Sequence, residues 1–181
     1  IFPANGAIAQ PLALTVSWNA SAGATSYHLQ VSADQAFSTT LVDDSTLTAT
    51  SGQVSSLSSG TTYYWRVNAK NSGGTSAYST PWNLTTVPAA PPAPTLLLPS
   101  NGDVNEQTTP VLAWNPSSGA TSYRLQVSAG LDFATILVDD PALVATSDQL
   151  SSLLNGITYY WRVSAGNRGG TSAYSDVWSF S

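Results

Sequence analysis

The 181-residue chain has no cysteine and no methionine, a single histidine, and only 8% charged residues, against about 25% in an average soluble protein. Without cysteine there is no disulfide staple, no thiol nucleophile and no thiolate metal site. One histidine leaves nothing for a multi-imidazole metal centre. Its counterpart in the repeat described below is an arginine, so a histidine base shared by two copies is also excluded. No apolar run approaches the roughly 20 residues of a membrane-spanning helix, and the residues from Ile1 onward are not expected to act as a signal peptide. The net charge of −5 is small and unclustered, which disfavours nucleic acid or an anionic membrane as partner. A chain without methionine that begins at Ile1 is expected to be a processed or excised piece of something longer.

Ser and Thr are abundant, 48 of 181 residues. They imply a neutral, hydroxyl-covered surface that suits a secreted or cell-surface protein. The dominant feature is a duplication. Residues 1 to 85 align with 97 to 181 at a constant offset of 96 without a gap, and 47 of the 85 pairs are identical. Trp18 becomes Trp114, Phe37 becomes Phe133, and Tyr63-Tyr64-Trp65-Arg66-Val67 becomes Tyr159-Tyr160-Trp161-Arg162-Val163. Units of this length can bury a core without staples. The expected organisation is domain 1 over residues 1–87, a Pro-rich linker over 88–94, and domain 2 over 95–181. The stretch from Val87 to Pro94 carries four prolines. It cannot form a helix or a central strand, and in extended polyproline geometry its eight residues span up to roughly 25 Å. A lead-in, Ala93-Pro94-Thr95-Leu96, precedes the second copy, and its counterpart in the first would fall before Ile1.

Within each copy the apolar period is two. Leu12, Leu14, Val16 and Trp18 alternate with polar or small residues, as do Tyr27, Leu29 and Val31, then Tyr63, Trp65, Val67 and Ala69, then Trp82 and Leu84. This is the pattern of half-buried antiparallel strands. Turn signals separate them at Asn5-Gly6, Ser21-Ala22-Gly23, Ser58-Ser59-Gly60 and Asn71-Ser72-Gly73-Gly74. No window carries a helical stripe. About seven short strands in about 90 residues imply a two-sheet sandwich.

The run Leu57 to Ala69, with Asn71 and Gly74-Thr75-Ser76, resembles the E-to-F corner, F strand and FG loop of fibronectin type III domains. Leu153, Gly156, Tyr159, Trp161, Val163, Ala165, Asn167 and Gly170 repeat it. Trp18 and Trp114 stand where that family places its strand B tryptophan, and Tyr27, Leu29 and Val31 match its strand C. The resemblance implies an all-β chain of two immunoglobulin-like, seven-stranded antiparallel β-sandwiches in tandem. It also implies a tyrosine corner at Tyr63 and Tyr159, whose hydroxyls would bond backbone near the preceding leucine. The style is similar to domains common in secreted bacterial proteins. The family's Arg-Gly-Asp adhesion triplet is not matched, because Arg168-Gly169 is followed by Gly170.

The six tryptophans share the phase of the aliphatic residues and read as core. The opposite face of strands C and F offers Tyr64, Arg66, Asn68 and Lys70 beside His28 and Gln30, and in the second copy Tyr160, Arg162, Ser164 and Gly166 beside Arg124 and Gln126. Cross-strand packing with Arg over Tyr is the plain reading of this face. A glycan- or protein-binding surface at Tyr64, Arg66, His28, Gln30, Tyr160, Arg162, Arg124 and Gln126 is the sharper one. Asp43-Asp44 and Asp139-Asp140 read as turn or edge-strand charges, since no spaced acidic loop completes a calcium cage. Asn19-Ala20-Ser21 and Asn83-Leu84-Thr85 match the N-glycosylation pattern, but their counterparts do not. No catalytic residue, metal site or cofactor is expected.

The function these features point to is a non-catalytic extracellular spacer or scaffold that positions neighbouring domains of the same polypeptide, monomeric as an isolated segment. The alternatives are an adhesion module using the outward face, and the repeating subunit of a surface filament or phage appendage.

Overall fold

A computed structural model describes all 181 residues, as sixteen strands and no helix. The chain divides into two compact units, Ile1–Pro88 and Ala89–Ser181.

In the first unit the strands are β1 (Ala7–Gln10), β2 (Leu14–Ser17), β3 (Ser26–Ser32), β4 (Val42–Leu47), β5 (Ser51–Val54), β6 (Thr62–Asn71), β7 (Gly74–Thr75) and β8 (Trp82–Thr86). One sheet runs β1-β8-β6-β3-β4, with β7 on β6, and β2 pairs β5 in the other. The second unit has β9 (Leu96–Leu98), β10 (Val111–Trp114), β11 (Ser122–Ser128), β12 (Ile136–Leu143), β13 (Ser147–Gln149), β14 (Tyr159–Asn167), β15 (Gly170–Thr171) and β16 (Trp178–Phe180). Its sheets are β12-β11-β14 with β15 and β16 on β14, and β13-β10-β9. Each unit is thus a two-sheet, all-β sandwich. Its named pairings are antiparallel except β1 with β8, which is parallel, and the second unit repeats that contact as an isolated parallel bridge between Asp103 and Phe180. Period-two alternation is the same for either direction, so only the assembled sheet reveals this.

The alternating residues meet between the sheets. Val16, Leu29, Val31, Val54 and Leu84 are fully buried in the first unit, as are Leu112, Trp114, Leu125, Val127, Trp161 and Val163 in the second. Aromatic pairs recur at the same places. Trp18 lies edge-on to Tyr27 at 5.6 Å between ring centroids, and Trp114 to Tyr123 at 5.7 Å. Trp65 meets Trp82 at 5.8 Å, and Trp161 meets Trp178 at 6.3 Å. Leu12 departs from its expected inward phase: it stays exposed because the regular strand begins only at Leu14.

Buried tyrosines find backbone donors, as an interior hydroxyl must. The Ser58 N–H donates to the Tyr63 hydroxyl at 3.0 Å and the Leu154 N–H to Tyr159 at 2.9 Å. These bonds join the corner to the strand that follows it. Tyr27 and Tyr123 repeat the device, accepting from the N–H groups of Ser21 and Ser117. Tyr63→Phe keeps the ring and strands the Ser58 N–H, so it should lower stability by about 1–2 kcal/mol. Tyr64→Phe, whose hydroxyl has no partner, should change it by less than about 0.5 kcal/mol. Urea denaturation of the two variants makes the comparison, and equal midpoints would remove the corner bond from the account.

Candidate functional site

The face to examine is the outer side of β3 and β6, with β4 beside them, and its counterpart on β11, β14 and β12. Strand register sets its rows. Gln30 stands opposite Arg66 on one side and opposite Asp43 on the other. In the second unit Gln126 stands between Arg162 and Asp139. Each row is a hydrogen-bonded relay. Arg66 Nε donates to Gln30 Oε1 at 2.9 Å, and Gln30 Nε2 donates to Asp43 at 3.3 Å. Arg162 donates through Nε and Nη2 to Gln126 Oε1 at 3.0 and 2.8 Å, and Gln126 Nε2 points on to Asp139 at 3.5 Å. An amide with one acceptor and one donor fits between a cation and an anion in one orientation only.

The guanidinium groups are held between two rings. Arg66 lies 4.0 Å from the Phe37 centroid and 4.2 Å from that of Tyr78. Arg162 lies 4.0 Å from Phe133 and 4.1 Å from Tyr174. A planar cation suits this slot because both its faces can rest on the negative faces of aromatic rings. Neither ring belongs to the strand that carries the arginine, and Tyr64 and Tyr160, the expected covers, are not the partners. Phe37 and Phe133 reach the cation with left-handed backbones, φ 58° and 55°, a conformation unfavourable for a bulky residue. Local hydrogen bonds hold the turn. In the first unit Asp34 accepts from the N–H groups of Ala36 and Ser38, each at 3.0 Å. In the second, glycine replaces Asp34, and Asp132 accepts from the Ala134 N–H at 3.1 Å.

The second row differs between copies. His28 is bonded through Nε2 to Asp43, and the Tyr78 hydroxyl sits 2.9 Å from its Nδ1. Arg124 makes a two-pronged bond to Asp139 at 2.7 and 2.6 Å. The histidine-to-arginine exchange therefore keeps a partner for the same aspartate. These contacts show in the acidities. The His28 hydrogen bond, then Gln30, lowers the Asp43 pKa, and the Arg124 hydrogen bonds lower that of Asp139. Asp139 in turn raises the pKa of Arg124, and burial raises that of the Tyr78 phenol. Asp34 is lowered by the Ala36 N–H and by Ser38, and Asp44 by the Thr46 hydroxyl and N–H.

The structure brings the residues expected on this face together, with Lys70 and Arg124 exposed and the others at least partly covered. Gln126 and Ser164 are buried, as is Asn68, which was expected to point outward into solvent. The reason is the segment after β7. The Ser76 N–H bonds Ala69 O and the Ser79 N–H bonds Val67 O, so this segment runs back along β6 and brings Tyr78 over Arg66 and His28. Tyr64 and Tyr160 remain half-buried at the end of the row. Phe37, Tyr78, Phe133 and Tyr174 were missed from the strand pattern because they lie outside strands. Their identity in both copies was the available signal. Nowhere do three histidine, aspartate or glutamate side chains converge in a metal-binding group.

All four lowered aspartates stabilise the fold most when ionised. Their contribution is complete above the ordinary aspartate value of 3.8 and declines as pH falls through their lower folded values. Three belong to the first unit and one to the second. Thermal melts of the separate units between pH 2 and pH 6 should therefore show a larger acid loss in the first, with little change above pH 5. Equal acid loss in both units would count against these bonds as its source.

Residues 7–85 match the family model for the fibronectin type III domain. No curated protein sequence matches the chain. Among solved structures it is similar to the FN1–FN3 domains of chicken CNTN1, with 20% identity and a TM-score of 0.47, over 97% of this chain and 64% of that one. It is also similar to a two-domain fibronectin type III segment of chicken tenascin, with 16% identity and a TM-score of 0.40, over 94% of this chain and 93% of the other.

Proposed function

We propose that the chain is a non-catalytic spacer of two fibronectin type III sandwiches, set in a larger secreted or cell-surface protein whose other domains it holds apart. The observation that carries this reading is the duplicated Phe-Arg-Tyr stack with its Arg-Gln-Asp relay. The arginine, glutamine and aspartate groups of the outer face are turned toward one another in both copies, as in a device that stiffens a module. A recognition surface instead leaves directional donors and acceptors free for a partner. The match of residues 7–85 to a domain model used widely as a structural or adhesion module supports the same reading. The experiment replaces both units in the parent protein by an unrelated rigid pair of equal length. The flanking domains should keep their activity, while deletion of one unit should change only their reach. Loss of a binding activity on replacement would sink the spacer reading.

One observation favours a second reading. The Tyr64 and Tyr160 rings are half-exposed and their hydroxyls have no hydrogen-bond partner in the protein, which leaves a stacking face and a polar tip for a glycan or protein. Glycan-array screening of the pair with Tyr64→Ala and Tyr160→Ala tests it.

A further inference from the structure

On the outer face of the second unit a cleft of about 450 Å³ opens between β11, β14 and the segment that follows β15. Strand register builds its floor: Ser122 stands opposite Gly166, and Arg124 opposite Ser164. Thr171 pairs with Gly166 on the next strand. Tyr174 and Pro141, the latter at the irregular step of β12, complete the lining. The hollow follows from two exchanges between the copies, because Gly166 and Ser164 stand where the first unit has Lys70 and Asn68. A Cβ at position 166 would lie 3.1 Å from Ser122 Oγ and 4.0 Å from Thr171 Oγ1. Without it, both hydroxyls border open space.

The groups around this hollow are largely unpaired. Ser164 is 2% exposed, yet its hydroxyl has no partner in the protein, whereas buried hydroxyls are ordinarily bonded. The hydroxyls of Ser122, Thr171 and Tyr174 also lack partners, while the matching Tyr78 hydroxyl of the first unit bonds His28 at 2.9 Å. Among the serines and threonine of the lining, Ser172 is the bonded one, accepting from the Ala165 N–H at 2.9 Å and donating to Ala173 O at 2.6 Å. Arg124 directs Nε and Nη2 to Asp139 and leaves Nη1 free. Hydroxyls that can each donate and accept match the neighbouring hydroxyls of a sugar, which do the same. Asp139 balances the charge of Arg124, so the site has no surplus charge with which to select a free anion. Its volume falls within the roughly 300–1,000 Å³ of small-molecule sites.

We propose that this cleft binds a neutral saccharide unit, held by the hydroxyls of Ser122, Ser164, Thr171 and Tyr174 and by the free Nη1 of Arg124. Pro141 offers an apolar surface to the C–H groups of the sugar ring. The site goes beyond the spacer reading and is separate from the Tyr160 surface. Tyr160 and Gly166 both lie on β14, about 20 Å apart along an extended strand.

The test follows amide resonances of the isotope-labelled full chain during titration with D-glucose, D-galactose and N-acetyl-D-glucosamine, each to about 50 mM, enough to fill a site of millimolar affinity. At least one of these sugars should shift the amides of Ser164, Gly166 and Thr171. Gly166→Lys combined with Ser164→Asn puts the first unit's side chains into the cleft and should weaken binding at least about tenfold at an unchanged melting temperature. Tyr174→Phe keeps the ring over Arg162 and should weaken binding several-fold; it decides the matter if the double variant fails to fold. Tyr160→Ala should leave binding as it was. A tetrasaccharide of the bound sugar separates the sources: tighter binding than the monosaccharide marks a polysaccharide, and equal binding a free sugar. The proposal is overturned by no shift with any of these sugars, by shifts that survive both the double variant and Tyr174→Phe, or by larger shifts with sodium sulfate.

Discussion

Trp114→Ala should unfold the second unit at temperatures where the first stays native. The side chain is 2% exposed, lies edge-on to Tyr123 and belongs to the same cluster as Leu96, Leu112 and Leu125. Removing a buried indole loses its transfer free energy and leaves a cavity, together about 3–5 kcal/mol. That is a large share of the stability of a domain this size, typically about 5–15 kcal/mol. Calorimetry should show one transition moved down and one unchanged. Trp18→Ala, at the equivalent position, should cost less, because Trp18 is half-buried beside an open cleft. Equal losses at the two sites would contradict the difference in packing, and a single transition carrying both units down together would contradict independent cores.

Arg162→Ala should be the most damaging change outside the core. It removes a cation stacked at 4.0 and 4.1 Å between Phe133 and Tyr174 and two hydrogen bonds to Gln126. Gln126 is 3% exposed, so its amide oxygen loses its donors where water has little access. A stacked cation contributes about 0.5–2 kcal/mol and a stranded buried acceptor costs about 1–3 kcal/mol. A net loss of about 2–3 kcal/mol follows. Arg66→Ala should cost less, since Gln30 is only half-buried and can turn to water. Lysine at 162 should restore little, because an ammonium cannot lie flat against two rings while donating sideways to an amide. Chemical denaturation of the four proteins, wild type included, ranks them. Full recovery by lysine would show that charge alone matters.

Much of the fold was legible. Alternation placed Tyr27, Leu29 and Val31, and Tyr63, Trp65 and Val67, on the buried face, because a strand's side-chain period of two is local and survives any tertiary arrangement. Gln30 beside Arg66 was also readable once β3 and β6 were taken as neighbours. What the strand pattern did not show was how particular segments between strands cover the outer face. The covers over Arg66 come from Phe37 and Tyr78, which stand 29 and 12 positions away in the chain. The burial of Asn68 depends on how the Tyr78 segment returns along β6. The parallel contact of β1 with β8 leaves no mark in a hydrophobic pattern.

The sequence by itself therefore determined two all-β sandwiches and their inward faces, since a period of two is local and recurs at identical spacing in both copies, while the tyrosine corners followed from the resemblance to a known family. Only the tertiary structure decided that the outer face carries a stack of ring, cation and ring in each copy. The stack depends on loops meeting strands distant in sequence, and such meetings are set by packing in three dimensions.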